Sequence, residues 1–370
     1  MGAFKEAHGG VLKDIYLTEN AAEEEKIKAQ DYVSWDLTPR QLCDIELIMN
    51  GAFSPLAGFL GRQDYDRVLA DMRLDSGLIW PIPINLDVTQ EFAEGISTGQ
   101  NIALRDPEGV LIATMQVGDI WTPDKAAEAA AVYATEHEAH PGVDFLMNRT
   151  NEVYLGGTLT GVEPPTHYDF RLLRDTPAEL RGHFRKLGWR KVVAFQTRNP
   201  MHRAHQELTF KAARDQEANL LIHPVVGMTR QGDIDHYTRV RCYEKILKHY
   251  PEQTTTLSLI NLAMRMAGPR EALWHAIVRK NHGCTHFIVG RVHAGPGKDP
   301  AGEPYYGPYE AQELFKDHEQ ELDISMVPFQ QMVYVEDRAQ YMPVDKTTPD
   351  MKIMTITGTE FRRRLGEGLD

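Results

Sequence analysis

The residues with the most evident chemistry lie in one short segment, "AFQTRNPMHRAHQEL", at positions 194–208. It brings together two arginines, two histidines, a threonine, an asparagine and glutamine, in a chain whose formal net charge is -13. Such a cluster forms either a salt-bridged surface loop or a site that holds an anion and acts on it.

Local sequence signals favour the anion site. A buried-type strand at Val192–Phe195 is followed by a turn at Asn199, and a helix is predicted to begin near His202. His202 and His205 are three positions apart and would share one face of its first turn. That turn also exposes backbone N–H groups and the positive end of the helix dipole, which suit a phosphate. Arg198 adds a planar fork that can hold two oxygens of one oxyanion.

A second candidate cluster is "GRVHAGPGKD" at positions 290–299, which follows the strand "HFIVG". Glycines let a backbone approach a ligand closely, and Arg291 and His293 place donors beside it. A plain surface turn is the alternative. The segment is not a phosphate-binding P-loop, because that motif needs glycine where Val292 stands and Ser or Thr where Asp299 stands.

Three further features have simpler explanations. "HGG" at positions 8–10 is typical of a turn near a terminus, and the arginines at 362–364 are typical of a solvated helix face. Asp233 and Asp235 could suggest a metal site, but acidic residues are also common in the first turn of a helix. We therefore predict no metal ligands among them.

The elements that must position these residues follow a strand–helix alternation from about residue 168 onward. Strand-like segments occur at 190–196, 219–227, 255–264 and 285–290, with amphipathic or capped helical segments between them. This alternation predicts βαβ units and a parallel sheet with helices on both faces. Ligands of such sheets bind at the carboxyl ends of the strands, where both clusters lie.

The first 160 residues or so have a different pattern, with short strands broken by Gly, Pro and Asp. A turn is predicted at Asp106–Val110, and helices are predicted at Pro39–Met49 and Asp64–Met72. Pro164 and its neighbour mark a boundary. A last segment begins near residue 328 and includes a capping-box pattern at 357–360, which predicts a short basic helix.

Composition limits the class of protein. The 370 residues are 42% hydrophobic and 25% charged, as in ordinary globular proteins. The acidic balance argues against general nucleic-acid or membrane-surface binding, and no run of 18 apolar residues occurs. Cys43, Cys242 and Cys284 lack C-x-x-C spacing, which indicates reduced thiols and a cytoplasmic location.

Several longer motifs resemble those of the ATP sulfurylase (sulfate adenylyltransferase) family, and the resemblance runs essentially the whole length of the chain. The motifs are "HGGVL", "NGAFSPLAGFL", "QTRNPMHRAHQEL", "GRVHAGPGKD", "MVYVED" and "TGTEFRRRL". The resemblance implies a reversible reaction of MgATP with sulfate that gives adenosine 5′-phosphosulfate and pyrophosphate. It also implies an α/β fold, in which a β-rich PUA-like domain (1–167) precedes a Rossmann-like nucleotidyltransferase domain with a parallel sheet (168–327), followed by a small α/β domain (328–370).

The resemblance also implies roles for individual residues. Sulfate would be bound by Gln196, Arg198 and the backbone of Ala294. ATP would be bound by Gln196, Thr197, Arg198, Asn199, Gly290, Arg291, Val292, His293 and Val333. The catalytic set would be Thr197, Arg198, Asn199, His202 and His205, with the two histidines stabilising phosphate charge.

Mg²⁺ is implied as part of MgATP, with no tightly bound protein metal, and a homodimer is implied as the assembly. Position 292 departs from the family, because many relatives have Asp where this chain has Val292. The chain stops at Asp370, so we expect no kinase-like extension. The scattered cysteines give no sign of the zinc site of some relatives.

Two alternatives remain open at the level of sequence. One is another adenylyl- or cytidylyltransferase with the same H-x-x-H pattern, acting on a phosphorylated acceptor. The other is a non-catalytic sensor of nucleotides or anions that keeps the fold, for which Val292 would be the warning sign.

Overall fold

The computed structural model describes residues 5–230, 232–354, 363–364 and 367–369. In this part of the chain, the strands form three sheets that follow one another along the sequence. The predicted α/β fold is confirmed. The helix predicted near 357–360 and the first arginine of 362–364 lie outside the described residues.

The N-terminal sheet has the strand order β1-β4-β5-β6-β2, and β3 also pairs with β6. Only β1 and β4 are parallel among the described pairs of this sheet. The strands are β1 Val33–Asp36, β2 Gly58–Phe59, β3 Leu86–Val88, β4 Asn101–Arg105, β5 Leu111–Trp121 and β6 Val153–Gly161. The helices around it are α1 Glu19–Lys28, α2 Pro39–Met49, α3 Arg62–Asp71, α4 Gln90–Glu94, α5 Lys125–Tyr133 and α6 Pro141–Asn148.

Local signals explain the elements that the sequence predicts here. Helix α2 begins after Thr38, whose side chain accepts from the Gln41 N–H while the Gln41 side chain accepts from the Thr38 N–H. The predicted turn between β4 and β5 is present, and the Asp106 carboxylate accepts from the N–H groups of Glu108 and Val110. Helices α1, α4, α5 and α6 were not predicted, although the Ala- and Glu-rich sequences of α1 and α5 have high helix propensity.

The second sheet is wholly parallel and has the strand order β11-β10-β7-β8-β9. Its strands are β7 Val192–Phe195, β8 Asn219–Ile222, β9 Thr255–Leu257, β10 His286–Val289 and β11 Ser325–Pro328. The helices are α7 Pro177–Lys186, α8 Arg203–Asp215, α9 His236–Leu247, α10 Gly268–Asn281 and α11 Glu310–Leu322. The order along the sheet reverses between β7 and β10, which makes this a doubly wound sheet with a crevice at that point.

Two predicted strands are shorter than expected. The pattern at 219–227 predicted one strand, but β8 ends at Ile222. The pattern at 255–264 predicted a single strand, but β9 ends at Leu257. The chain continues beside β8 as an isolated bridge between Val225 and Ile260. Pro224 has no N–H to donate to a ladder, so regular pairing stops before it.

The third sheet is antiparallel with the order β13-β12-β14. Its strands are β12 Met332–Val335, β13 Gln340–Pro343 and β14 Ile353–Met354. Short 3₁₀ helices occur at Ala29–Asp31, Arg171–Leu173, Glu336–Arg338 and Val344–Lys346.

Helix α10 is enclosed between the N-terminal part and the parallel sheet. Thirteen of its fourteen residues are buried. The Trp274 ring packs against Phe53 with ring centroids 5.1 Å apart, and the Asn281 amide donates to the carbonyls of Ala52 and Ser54 at 2.9 and 3.0 Å. The N-terminal part therefore supports the element that lies behind the crevice.

A buried ion pair also joins the two parts. Arg265, which precedes α10, donates from Nη2 to Asp44 of α2 at 2.6 Å, and both side chains are buried. The hydrophobic core runs across the same boundary without interruption. None of the described helices is both long and apolar enough to cross a membrane.

Candidate active site

The two predicted loops meet at the point where the strand order reverses. Strands β7 and β10 are hydrogen-bonded neighbours, with His286 opposite Val193 and Phe287 opposite Ala194. The loops 196–199 and 290–293 begin at the carboxyl ends of these two strands, and both lie at the same edge of the sheet. The strand order, which local sequence patterns did not reveal, is what makes the two clusters neighbours.

The loop after β7 is held by hydrogen bonds within it and by α9. Thr197 Oγ1 donates to the Asn199 carbonyl at 3.0 Å and accepts from the Asn199 N–H at 3.1 Å. The Tyr243 hydroxyl donates to the same carbonyl at 2.8 Å, and Arg239 donates to the Arg198 carbonyl at 3.1 Å. These bonds fix the backbone from which the Arg198 side chain extends.

Arg198 is paired with a carboxylate that the sequence did not assign to it. Its Nη1 forms an ion pair with Asp233, and the two side chains are only 18% and 13% exposed. Asp233 also accepts from the N–H of Arg230 at 3.1 Å. Asp235, by contrast, caps α9 by accepting from the Thr238 N–H at 2.9 Å, as expected for an acidic residue in a first turn.

His202 and His205 lie together at the start of α8, as predicted. His202 is the residue before the helix, and the two ring centroids are 4.0 Å apart. Burial lowers the pKa of His202, and it lowers the pKa of His205 to about 3 with a further contribution from His202. His205 Nδ1 accepts from the His202 N–H at 3.3 Å, so the proton of its neutral ring is on Nε2.

The loop after β10 is tied to α10 and to the segment before α11. The Val292 N–H donates to the Pro308 carbonyl at 2.9 Å, and the Gly268 N–H donates to the Ala294 carbonyl at 3.3 Å. Val292 and Ala294 both have left-handed backbones, with φ of 51° and 50°. A β-branched residue with a left-handed backbone is strained, so Val292 lowers the stability of the folded loop.

Arg291 and Val333 connect to the rest of the site less directly. Arg291 is exposed, and its Nη1 donates to Gln331 Oε1 at 3.4 Å. Val333 is buried on β12, which packs beside α8. Gln331 lies two residues before Val333. Its contact with Arg291 links this segment to the loop after β10.

Sequence reasoning missed Glu271 and His275 of α10, which are fully buried behind the crevice. His275 Nε2 lies 3.3 Å from Gln196 Nε2, and its Nδ1 lies 3.0 Å from His293 Nε2. One imidazole thus touches a residue of each loop. The available signal was the spacing of Glu271, His275 and Arg279 at i, i+4 and i+8, which places the three on one face of the helix.

"HGG" at positions 8–10 forms a turn, in agreement with the simpler interpretation. Gly9 and Gly10 have φ of 78° and 90°, and Ala7 bridges to Gly10. His8 is buried and its Nε2 lies 2.7 Å from the Ile79 carbonyl, far from the crevice loops in the chain. Cys43, Cys242 and Cys284 are free.

The arrangement suits a substrate with several negative charges. Arg198 supplies a cationic group at this strand end. His202, His205 and the first turn of α8 supply N–H groups beside it. In the described part of the chain, no group of three or more His, Cys, Asp or Glu side chains is placed to hold a metal ion.

Comparisons with known proteins agree with the two-part architecture. A family model described as a PUA-like domain matches residues 5–164, and one described as ATP-sulfurylase matches residues 171–370. The chain is similar over 99% of its length to a solved structure titled "Hexameric APS kinase from Thiobacillus denitrificans", with a TM-score of 0.81 and 33% identity, and it covers 65% of that chain.

Curated relatives named sulfate adenylyltransferase align with 98% of this chain. The protein of Eremothecium gossypii is 51% identical and is covered over 73% of its length, and that of Saccharomyces cerevisiae is 51% identical and is covered over 71%. The protein of Mycosarcoma maydis is 54% identical, and this chain spans 64% of it. The ATP-sulfurylase family model matches more than half of the sequence. Together with these identities, this match shows that the chain belongs to the ATP-sulfurylase family.

Proposed function

We propose that this chain is a sulfate adenylyltransferase that converts MgATP and sulfate into adenosine 5′-phosphosulfate and pyrophosphate. The observation that carries the proposal is the meeting of loops 196–199 and 290–293 at the reversal point of a doubly wound sheet in a member of this family. The same site would catalyse the reverse reaction, because the phosphosulfate anhydride is a high-energy bond.

The proposed chemistry needs no general base. A sulfate oxygen is already anionic and attacks the α-phosphorus, while the bond to pyrophosphate breaks in line with it. The barrier lies in bringing two polyanions together and in stabilising the five-coordinate transition state. Fixed cations and N–H donors lower this barrier because they need no reorganisation during the reaction.

We propose the following roles for the residues at the two loops. Gln196, Arg198 and the backbone of Ala294 bind sulfate. Gln196, Thr197, Arg198, Asn199, Gly290, Arg291, Val292, His293 and Val333 form the ATP site. Thr197, Arg198, Asn199, His202 and His205 form the catalytic set, in which neutral His205 donates from Nε2 to a phosphate oxygen. Mg²⁺ enters with the phosphates of ATP as part of the substrate.

We further propose a cytoplasmic homodimer, with domains at 1–167, 168–327 and 328–370. Size-exclusion chromatography with light scattering tests the assembly, since a dimer would have a mass near twice the 41.9 kDa of the chain. Limited proteolysis tests the domain bounds, because cleavage is expected near residues 165–168 before it occurs inside either sheet.

The activity is tested by sulfate-dependent release of pyrophosphate from MgATP, with molybdate-dependent cleavage of ATP as a second assay. We expect both. Turnover driven by a phosphate ester and not by sulfate would instead support a related nucleotidyltransferase. Nucleotide binding with no turnover under either condition would support a sensor.

A further inference from the structure

Helix α10 carries a buried polar pair that faces the crevice loops. Glu271 and His275 are one helical turn apart, and each is 0% exposed. Glu271 Oε1 lies 3.1 Å from His275 Nε2. Buried ionisable side chains are expensive unless they are fully partnered, so a pair of this kind in a helix that is otherwise enclosed calls for a function.

The protonation of this pair follows from its partners. Glu271 Oε1 accepts from the Arg265 N–H at 2.9 Å, and Oε2 accepts from the Ala267 N–H at 2.8 Å. Burial alone would raise the pKa of Glu271, but His275 and these N–H groups outweigh it and the pKa is lowered. Burial lowers the pKa of His275. Glu271 is therefore a carboxylate, and His275 is a neutral ring.

This protonation fixes the tautomer of His275. Nε2 carries the proton and donates to Glu271, so Nδ1 is an acceptor and takes the hydrogen bond from His293 Nε2 at 3.0 Å. The pair thereby holds the imidazole of His293 in the loop after β10.

The same tautomer decides which way the Gln196 carboxamide is oriented. Gln196 Nε2 stands 3.3 Å from His275 Nε2, and Gln196 Oε1 is buried with no partner among the described residues. Two N–H donors cannot bond each other. With the carboxamide reversed, its oxygen shares the single Nε2 proton of His275 with Glu271, and its NH₂ group takes the buried end that has no partner among the described residues and that a ligand can satisfy.

We propose that Glu271 and His275 are positioning residues that hold the Gln196 carboxamide with its NH₂ group toward sulfate. The inference rests on the proposed function. A bound oxyanion accepts hydrogen bonds only, so an amide that presented its oxygen would repel it. In this proposal Glu271 contacts His275, and His275 contacts Gln196. Glu271 therefore affects sulfate binding without touching either substrate.

Two substitutions of His275 separate its ring nitrogens. In His275→Gln, the amide occupies the position of Nε2 and can still bridge Glu271 and Gln196, whereas in His275→Asn it occupies the position of Nδ1 and loses that bridge. We expect His275→Asn to raise the sulfate KM roughly tenfold to hundredfold, with a change in the MgATP KM of less than about threefold. His275→Gln should keep the sulfate KM within about threefold of the parent, and any larger change should fall on the MgATP KM, because the acceptor for His293 is lost.

The matched control is His282→Asn, because His282 is a buried histidine at the end of the same helix and its Nδ1 lies 2.8 Å from the Val278 carbonyl. It should lower the melting temperature without changing the sulfate KM. Equal effects of His275→Asn on both substrates, or an unchanged sulfate KM, would overturn the inference alone. A parent protein without sulfate-dependent pyrophosphate release would overturn the proposed function and this inference with it.

Discussion

The guanidinium of Arg198 forms an ion pair with the carboxylate of Asp233 at the edge of the crevice. A guanidinium has five N–H donors, so Nη1 can hold Asp233 while other donors meet an oxyanion. Asp233 is itself held by the N–H of Arg230. The carboxylate therefore orients the side chain that we propose to bind sulfate.

Removing this orienting contact should weaken the use of sulfate. We expect Asp233→Ala to lower kcat/KM for sulfate about tenfold, which corresponds to about 1.4 kcal/mol. Asp233→Asn should lose less, because its amide oxygen still accepts from Nη1. Steady-state kinetics at saturating MgATP give the comparison. An increase in kcat/KM for Asp233→Ala would mean that the carboxylate competes with sulfate instead.

His205 is expected to matter through its Nε2 proton. His205→Ala should lower kcat by about 10²–10³, as is found when one donor to a developing charge is removed. His205→Gln should lose less, since its amide N–H occupies the position of Nε2–H. Lys211→Ala, on the same helix but paired with Asp215, is the control and should keep full activity. Parent-like turnover of His205→Ala would refute the role.

Val292 should carry a stability cost that other residues avoid. Asn and Asp tolerate the left-handed backbone found there, so Val292→Asn or Val292→Asp should stabilise the protein by about 1 kcal/mol. The melting temperature should then rise by about 1–2 °C, because the shift per kcal/mol falls as the chain becomes longer. Val292→Ile keeps the branched Cβ and should give no gain. Equal melting temperatures for all variants would show that the loop carries no strain at this residue.

Buried histidines should make stability depend on pH. Burial lowers the pKa of His8 to about 4 and that of His282 to about 3, below the value of 6.5 for a free histidine. The unfolded chain therefore binds more protons below pH 6.5, and stability is lost as the pH falls from there toward these folded-state values. At pH 5, each such residue should cost up to ~2 kcal/mol.

Urea unfolding at pH 7.5 and pH 5 measures this loss. His282→Gln should reduce the difference between the two free energies of unfolding, while the exposed His137→Gln should leave it unchanged. An identical pH dependence in the parent and His282→Gln would contradict the assignment.

Chelation should show whether Mg²⁺ acts only as part of the substrate or also stabilises the fold. If Mg²⁺ enters with ATP, EDTA should abolish pyrophosphate release and leave the melting temperature of the ligand-free protein unchanged, because folding would not be linked to the metal. Excess MgCl₂ should restore full activity. A lower melting temperature in EDTA would reveal a bound structural metal.

Local sequence patterns predicted the elements whose ends carry strong signals. Thr38 and Gln41 cap a helix with Pro39 at its first position, and α2 has the predicted bounds. His202 precedes α8, as its position after a strand and a turn indicated. These features depend on neighbours in the chain, so one sequence is enough to find them.

The order of the strands and the polar pair in α10 depend on distant contacts. No local pattern states that β7 lies beside β10, and the adjacency of the two loops follows only from that pairing. Glu271 and His275 were missed because a polar residue in a helix has many explanations until its partners are known. The pairing of Arg198 with Asp233 joins residues 35 positions apart and was equally out of reach.

Helix α10 packs between two neighbours, with Trp274 against Phe53 on one side and His275 against Gln196 and His293 of the crevice loops on the other. The proposed activity therefore depends on the N-terminal part of the chain, which contacts neither substrate in our proposal. We expect a substitution of Phe53 to shift Trp274 and, through the helix, the neighbouring His275, so that residues of the N-terminal part and of the crevice are expected to change together in evolution.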